Sequence, residues 1–214
     1  MKKTNRYSVP EDESYEPCSN DEVLKNYLHI TSKEQIEQIE ANELQRAELE
    51  LEEIVEKDQG FTATDICNFH ELWLGDVYPF AGKYRTVSMS KAGFPFAAPN
   101  FIPRLMQEFE DNFLRKYTPC HESDMNTLAA MLGSIHAELI IIHPFREGNG
   151  RLARLLANLM AMQADMPQLN YSSINQVENM EGFENYIKAI HAAFSGDTQP
   201  IQKVFYRLLE DSIS

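Results

Sequence analysis

The sequence predicts an all-α fold, a helical bundle that carries one small β-hairpin flap. Long stretches place apolar residues three and four apart, the spacing of a single helix face. Capping residues and early acids open several of these stretches, and Pro167 closes one. Only residues 85–97 break the pattern, alternating weakly in the manner of a strand around a "KAG" turn. A chain of 214 residues is long enough to bury a core.

Residues 1–20 are rich in Glu, Ser, Pro and Asn and read as a flexible acidic segment. Residues 21–214 read as one domain with an N-terminal helical extension. In "TSKEQIEQIEANELQRAELELEEIVEK", Thr31 or Ser32 caps a helix with Ile36, Ile39, Leu44 and Leu51 as apolar positions. "TATDICNFHELWLGDVY" carries Ile66, Phe69, Leu72 and Trp73 on one stripe. "PNFIPRLMQEFEDNFLRKY" does the same with Ile102, Leu105, Met106, Phe109 and Phe113. "SDMNTLAAMLGSIHAELIIIHPF" is apolar nearly all round, which marks a central helix. "NGRLARLLANLMAMQADM" is again helical, and two further patterns cover residues 176–194 and 200–212.

The formal net charge is −14, a surface that repels nucleic-acid phosphates and anionic membranes. No run approaches the roughly 18 consecutive apolar residues of a membrane span, and the basic N-terminus has no apolar run behind it, so no secretory signal is expected. Cys18, Cys67 and Cys120 have neither disulfide nor metal-site spacing. They read as reduced thiols of a cytoplasmic protein. Against the acidic background, Arg146, Arg151 and Arg154 form a local basic island, which points to an anionic ligand.

That island lies in "IIHPFREGNGRLAR", residues 141–154. Pro144 cannot continue a helix, because it lacks an N–H and its ring clashes with the preceding turn. The central helix should therefore stop near Ile142 and leave His143 at its edge. Gly148 and Gly150 permit backbone angles closed to other residues. A helix beginning near Gly150 leaves unpaired N–H groups in its first turn, and with Asn149 these can wrap an anion at the positive end of the helix dipole. Arg151 and Arg154 share a helix face and can fork onto successive phosphates. Glu147 at the lip would repel phosphates unless a divalent cation, Mg²⁺ above all, lies between. His143 can take a proton from an attacking hydroxyl near neutral pH. These parts suit transfer of a nucleotidyl or phosphoryl group.

"HPFREGNGRLAR" resembles the signature of the Fic family, His-x-Phe-x-Asp/Glu-Gly-Asn-Gly-Arg-x-x-Arg, and each defining position matches. The upstream "LWLGDVYPFAGKYRTVSMSKAGFPFAAP" is similar to the family's helix-and-flap region, so the likeness spans roughly residues 20–210. The resemblance implies the all-α Fic fold and a protein adenylyltransferase, an AMPylating nucleotidyltransferase that moves AMP from ATP to a Ser, Thr or Tyr hydroxyl and releases pyrophosphate. It implies His143 as general base, Phe145 as the structural anchor of the loop and Glu147 as the Mg²⁺ ligand. It implies Gly148, Asn149 and Gly150 around the α-phosphate and Arg151 and Arg154 on the β- and γ-phosphates. The flap would dock the target as an added strand, with Ser88, Lys91 and Phe94 as its contacts.

Other branches of the family transfer other groups. The Doc kinase branch has "HxFxDANKR", with lysine where this chain has Gly150, so Gly150 favours adenylylation. A phosphocholine branch keeps a similar loop. The alternatives are thus a Fic-type phosphotransferase using another nucleotide-derived group, or a nucleotide-binding interaction module without turnover. His136 with Glu138 does not make a metal site, since His136, His143 and Glu147 straddle the proline break; a packed, helix-bracing His136 is expected. His70, His121 and His191 lack partner patterns and read as structural or exposed. Trp73, Phe69 and Phe80 read as core, Arg146 as outside the phosphate clamp and Asn158 as a helix-surface amide.

Many Fic proteins are held off by a helix bearing [Ser/Thr]-x-x-x-Glu-[Gly/Asn], either in the chain or on a separate antitoxin. Here only Glu122 and Glu138 have Ser or Thr four residues earlier, and neither precedes Gly or Asn. No internal inhibitory helix of that type is expected, which leaves a separate antitoxin as partner, as in a toxin–antitoxin pair, or an unrestrained enzyme.

Overall fold

A computed structural model describes residues 15–91 and 93–213. It is helical apart from one hairpin, as the sequence predicts. The helices are α1 (Lys33–Ile54), α2 (Ala63–Leu74), α3 (Ile102–Phe109), α4 (Arg115–Tyr117), α5 (Met125–Ile142), α6 (Asn149–Gln163), α7 (Met180–Phe194) and α8 (Gln199–Ser212). A π-helical turn, Glu110–Leu114, joins α3 to α4, so the single helix expected over 99–117 contains a register change. Strands β1 (Ser90–Lys91) and β2 (Phe94–Pro95) pair antiparallel, Ser90 opposite Pro95 and Lys91 opposite Phe94. Gly93, at φ +82°, makes the turn.

The chain divides into two compact units. The first comprises Met1–Ile54, Ala63–Met106 and Ile142–Gly148. Its core gathers Ile36, Leu51, Ile66, Trp73, Leu74, Ile102 and Phe145, each at most 4 % exposed. Glu40 of α1 is buried there because it is fully used: its carboxylate accepts from Tyr78 Oη at 2.5 Å and its carbonyl from Trp73 Nε1 at 2.9 Å. Most of the expected flexible segment, residues 1–14, lies outside the described residues. Of residues 15–20, Glu16 and Ser19 are buried while Pro17, Cys18 and Asn20 are exposed; Tyr15 bridges Leu24, and Asn26 N–H donates to Glu16 Oε1 at 2.9 Å.

The second unit comprises Val55–Thr62, Gln107–Ile141 and Asn149–Ser214. Helix α5 is long and apolar enough, by length and composition, to cross a bilayer. Its Leu128, Leu132, Ile135, His136 and Leu139 are nevertheless almost wholly buried, as in the core helix of a folded unit. Gln163, at the end of α6, ties down the 55–62 segment: its amide donates to Gln59 O at 2.8 Å and its Oε1 accepts from Cys120 N–H at 3.0 Å. Asn158 is not the surface amide that the sequence suggests; it is 5 % exposed and accepts from Leu169 N–H at 3.3 Å. All three cysteines are free thiols.

His136 braces this unit as expected. Its Nε2 lies 2.8 Å from Tyr186 Oη of α7, and its ring packs 5.0 Å from that of Phe205 on α8. Burial, aided by the nearby Arg154 charge, pushes its pKa down to about 3. The unfolded chain therefore binds a proton that the folded chain refuses, and stability falls as pH drops below the unfolded value of about 6.5. Urea unfolding should show a loss of roughly 1.5 kcal/mol between about pH 6.5 and pH 5.0. His136→Gln should flatten that portion of the curve.

Candidate functional site

In the first unit, α5 ends at Ile142 and the next residue is His143, where the sequence places the helix stop. His143 has φ +52°, in the left-handed region that L-residues rarely occupy. The residue is only 4 % exposed. The ring of Phe96, from the flap, stacks face to face on the imidazole with centroids 3.6 Å apart and planes 8° apart.

Phe145 is fully buried. It stacks on His70 of α2 at 4.0 Å and 8°. His70 is more than a packed histidine. Gly82 N–H donates to its Nδ1 at 2.9 Å, which puts the ring proton on Nε2, and Nε2–H donates to Glu147 O at 3.1 Å. Helix α2 thereby holds the backbone of the carboxylate-bearing residue. Glu147 is 7 % exposed, and its Oε1 accepts from Gly148 N–H at 2.8 Å.

Gly148 has φ +83°, and a Cβ there would lie 2.6 Å from Trp73 Cζ3 and 2.9 Å from Cη2. Both its conformation and its surroundings demand glycine. Arg146 is 6 % exposed, and its guanidinium lies 5.7 Å over the Tyr15 ring.

Arg85 was not singled out by sequence, yet its side chain bonds four backbone carbonyls of the loop and flap. Its Nε donates to His143 O at 2.7 Å, one terminal nitrogen to Val87 O at 2.6 Å, and the other to Ala97 O at 2.6 Å and Ile142 O at 3.4 Å. Its own N–H donates to Pro144 O at 2.8 Å. Burial, then the neighbouring Arg146 charge, lowers its pKa to about 10, so it stays cationic at neutral pH. A cation at the carbonyl end of α5 also suits the helix dipole.

In the second unit, α6 begins at Asn149, which is fully buried. Its first turn carries Gly150 and Arg151, and Arg154 follows one turn on the same face. Gly150 corrects an expectation: it is helical and uses no positive φ, and a Cβ there would meet nothing within 4 Å. What it supplies is bare space beside the N–H groups of a helix start. The Arg154 guanidinium lies 5.3 Å over Tyr171, whose hydroxyl donates to Arg154 O at 3.1 Å. Tyr171, like Arg85, was not foreseen.

Of the flap residues singled out by sequence, Ser88 and Lys91 are exposed and Phe94 is half-buried. Phe94 packs edge-on against Phe96 at 5.9 Å. Trp73 and Phe69 are core, and Phe80 stacks on Tyr78 at 4.7 Å. His121 and His191 are exposed. Among the described residues, no three His, Cys, Asp or Glu side chains gather into a metal site. One buried carboxylate, Glu147, suits a hard cation that arrives with phosphate oxygens as its other ligands.

The model of the Fic/DOC family matches residues 60–161. Protein adenylyltransferase Fic of Nematostella vectensis is 29 % identical over 162 residues, covering 75 % of this chain and 35 % of that protein. Protein adenylyltransferase Fic of Drosophila willistoni is 32 % identical over 152 residues, covering 70 % and 27 %. The chain thus spans about a third or less of these relatives' length. The crystal structure of BepC from Bartonella tribocorum with bound AMPPNP superposes with a TM-score of 0.70 at 20 % identity, over 86 % of this chain and 91 % of that one. Fic-1 from C. elegans, residues 134–508 with E274G, gives 0.64 at 27 % identity, over 86 % and 52 %.

Proposed function

We propose that this chain, whose residues 60–161 match the model of the Fic/DOC family, is a protein adenylyltransferase, moving AMP from ATP to a Ser, Thr or Tyr hydroxyl of a target protein. The observation that carries the reading is the loop itself: His143 turned out of α5 at φ +52°, followed by a buried Glu147 and a Gly148 that tolerates no side chain. In this reading the target oxygen attacks the α-phosphorus of ATP. A bond forms between them, the bond from that phosphorus to the bridging oxygen breaks, and pyrophosphate leaves. His143 takes the hydroxyl proton, which raises the nucleophilicity of the oxygen as it attacks.

In this reading the N–H groups at the start of α6, from Asn149 and Gly150, face the α-phosphate while Glu147 Oε1 holds the Gly148 N–H, and the space left by Gly150 lets the phosphate come close to the backbone. Arg151 and Arg154 hold the β- and γ-phosphates and steady the charge that grows on the leaving group. Glu147 would hold Mg²⁺, which would supply positive charge to neutralise the phosphates. Lys91, Phe94 and Ser88 present the flap's edge, to which the target adds as a strand.

The partner proposed for regulation is a separate antitoxin bearing the inhibitory glutamate. Glu138 lies within α5 and Glu122 in the loop before it, so neither Ser/Thr-spaced glutamate sits on a helix of its own. The free thiols support a cytoplasmic setting, and the −14 charge supports neither a nucleic-acid partner nor a membrane partner.

Incubating the protein with a lysate and either α- or γ-labelled ATP tests the reading. The α label should appear on protein, and the γ label should not. Transfer of γ label would make it a kinase, and nucleotide binding without transfer of either would make it an interaction module.

A further inference from the structure

The flap touches the base itself. Phe96 follows β2, its N–H donates to Met89 O at 3.0 Å across the base of the hairpin, and its ring lies flat on the His143 imidazole at 3.6 Å. The ring nitrogens of an imidazole present their proton and lone pair in the ring plane. A face-on stack therefore fixes that plane without occupying either nitrogen. Phe94, one strand position from the turn, bears edge-on on Phe96. Arg85 ties the same parts together: it grips Val87 O and Ala97 O, where the flap leaves and returns, and with the same guanidinium grips His143 O. The guanidinium is cationic, so each of its bonds to these carbonyls is charge-assisted, and its fork geometry fixes the three segments relative to one another.

We propose that the flap is part of the mounting of the catalytic base, with Phe96 as a positioning residue that sets the His143 ring plane and Arg85 holding flap and base backbone at a fixed spacing. This inference rests on His143 being the base. It gives the flap a second role besides docking: a target strand seated on Ser90–Lys91 and Phe94–Pro95 bears, through Phe94 and Phe96, on the group that deprotonates it. Proximity alone makes such a mounting matter, since a misplacement of about 1 Å can cost roughly a hundredfold in rate.

Phe96→Leu keeps an apolar side chain and removes the flat face; Phe96→Tyr restores it. In Phe96→Leu, kcat for transfer should fall roughly tenfold or more, with KM for ATP within about twofold of wild type, and Phe96→Tyr should recover most of the loss. Arg85→Lys keeps the charge but cannot fork, and should lower kcat in the same way.

Histidine-labelled protein gives a readout independent of turnover. The His143 Cε1–H and Cδ2–H resonances, assigned by their loss in His143→Gln, should move in Phe96→Leu as the ring current disappears, and stay near wild type in Phe96→Tyr. That readout reports the stack whether or not AMP is the group transferred, so failure of the adenylyltransfer reading would leave it standing. Unchanged resonances in Phe96→Leu, or a rate loss confined to KM for the target protein, would overturn the proposal.

Discussion

His143→Ala should lower the rate of AMP transfer by about 10²–10⁴-fold, the usual worth of a positioned general base, and leave ATP binding close to wild type. The structure supplies a control that separates chemistry from folding. His143 sits at φ +52°, where an alanine keeps the strain of the left-handed region, worth about 1–2 kcal/mol. Glycine adopts that conformation without it. His143→Gly should therefore be at least as stable as His143→Ala in urea unfolding and equally inactive. Activity that survives in the glycine variant would mean that the backbone turn matters and the imidazole does not. Single-turnover measurements with saturating ATP make the comparison, because they exclude product release from the rate.

The two glycines of the motif should part company when each is changed to alanine. At Gly148 the added methyl lies 2.6 Å from the Trp73 ring, which is fully buried and held through its Nε1–H bond to Glu40 O. Overpacking of about 1–3 kcal/mol and the left-handed penalty of about 1–2 kcal/mol act together there. Gly148→Ala should cost roughly 2–4 kcal/mol of stability, and transfer should be lost with it. Gly150 is helical and its Cβ position is empty of protein atoms. Gly150→Ala should leave stability unchanged or raise it by about 0.5–1 kcal/mol, yet weaken ATP binding, because the methyl takes the space offered to a phosphate. Denaturant midpoints and nucleotide titrations on the two variants check both halves of this contrast. Equal destabilisation, or unaltered ATP affinity in Gly150→Ala, would contradict it.

This contrast also shows how far the residues alone could be read. A glycine letter marks either an unusual φ or a bare patch, and sequence cannot tell which; Gly148 is the first kind and Gly150 the second. The loop was legible because its pattern fixes many residue types at close range, and because Pro144 ends α5 by covalent geometry. Helices α1, α2, α6 and α8 were legible from apolar spacing to within a few residues. The π-helical turn after α3 was not, since it changes hydrogen-bond register without changing composition.

The supporting side chains were hidden for a different reason. His70 meets Glu147 across 77 residues of chain, and Arg85 meets His143 across 58. An isolated histidine on a helix stripe, or one arginine before a flap, carries no local signal of a distant carbonyl. Phe96 lay within the flap stretch that sequence marked, but its ring goes inward onto the imidazole while Lys91 is exposed. Tyr171, against Arg154, lies in a loop with no periodicity to read.

Adenylyl transfer to a protein hydroxyl is the proposed reaction. Mass spectrometry of peptides from a protein that the wild-type enzyme labels, after incubation with ATP and Mg²⁺, tests it most directly. The account predicts a Ser, Thr or Tyr side chain carrying one AMP, absent when His143→Ala replaces the wild type. A bare phosphate on that side chain, or AMP that appears equally with His143→Ala, would contradict it.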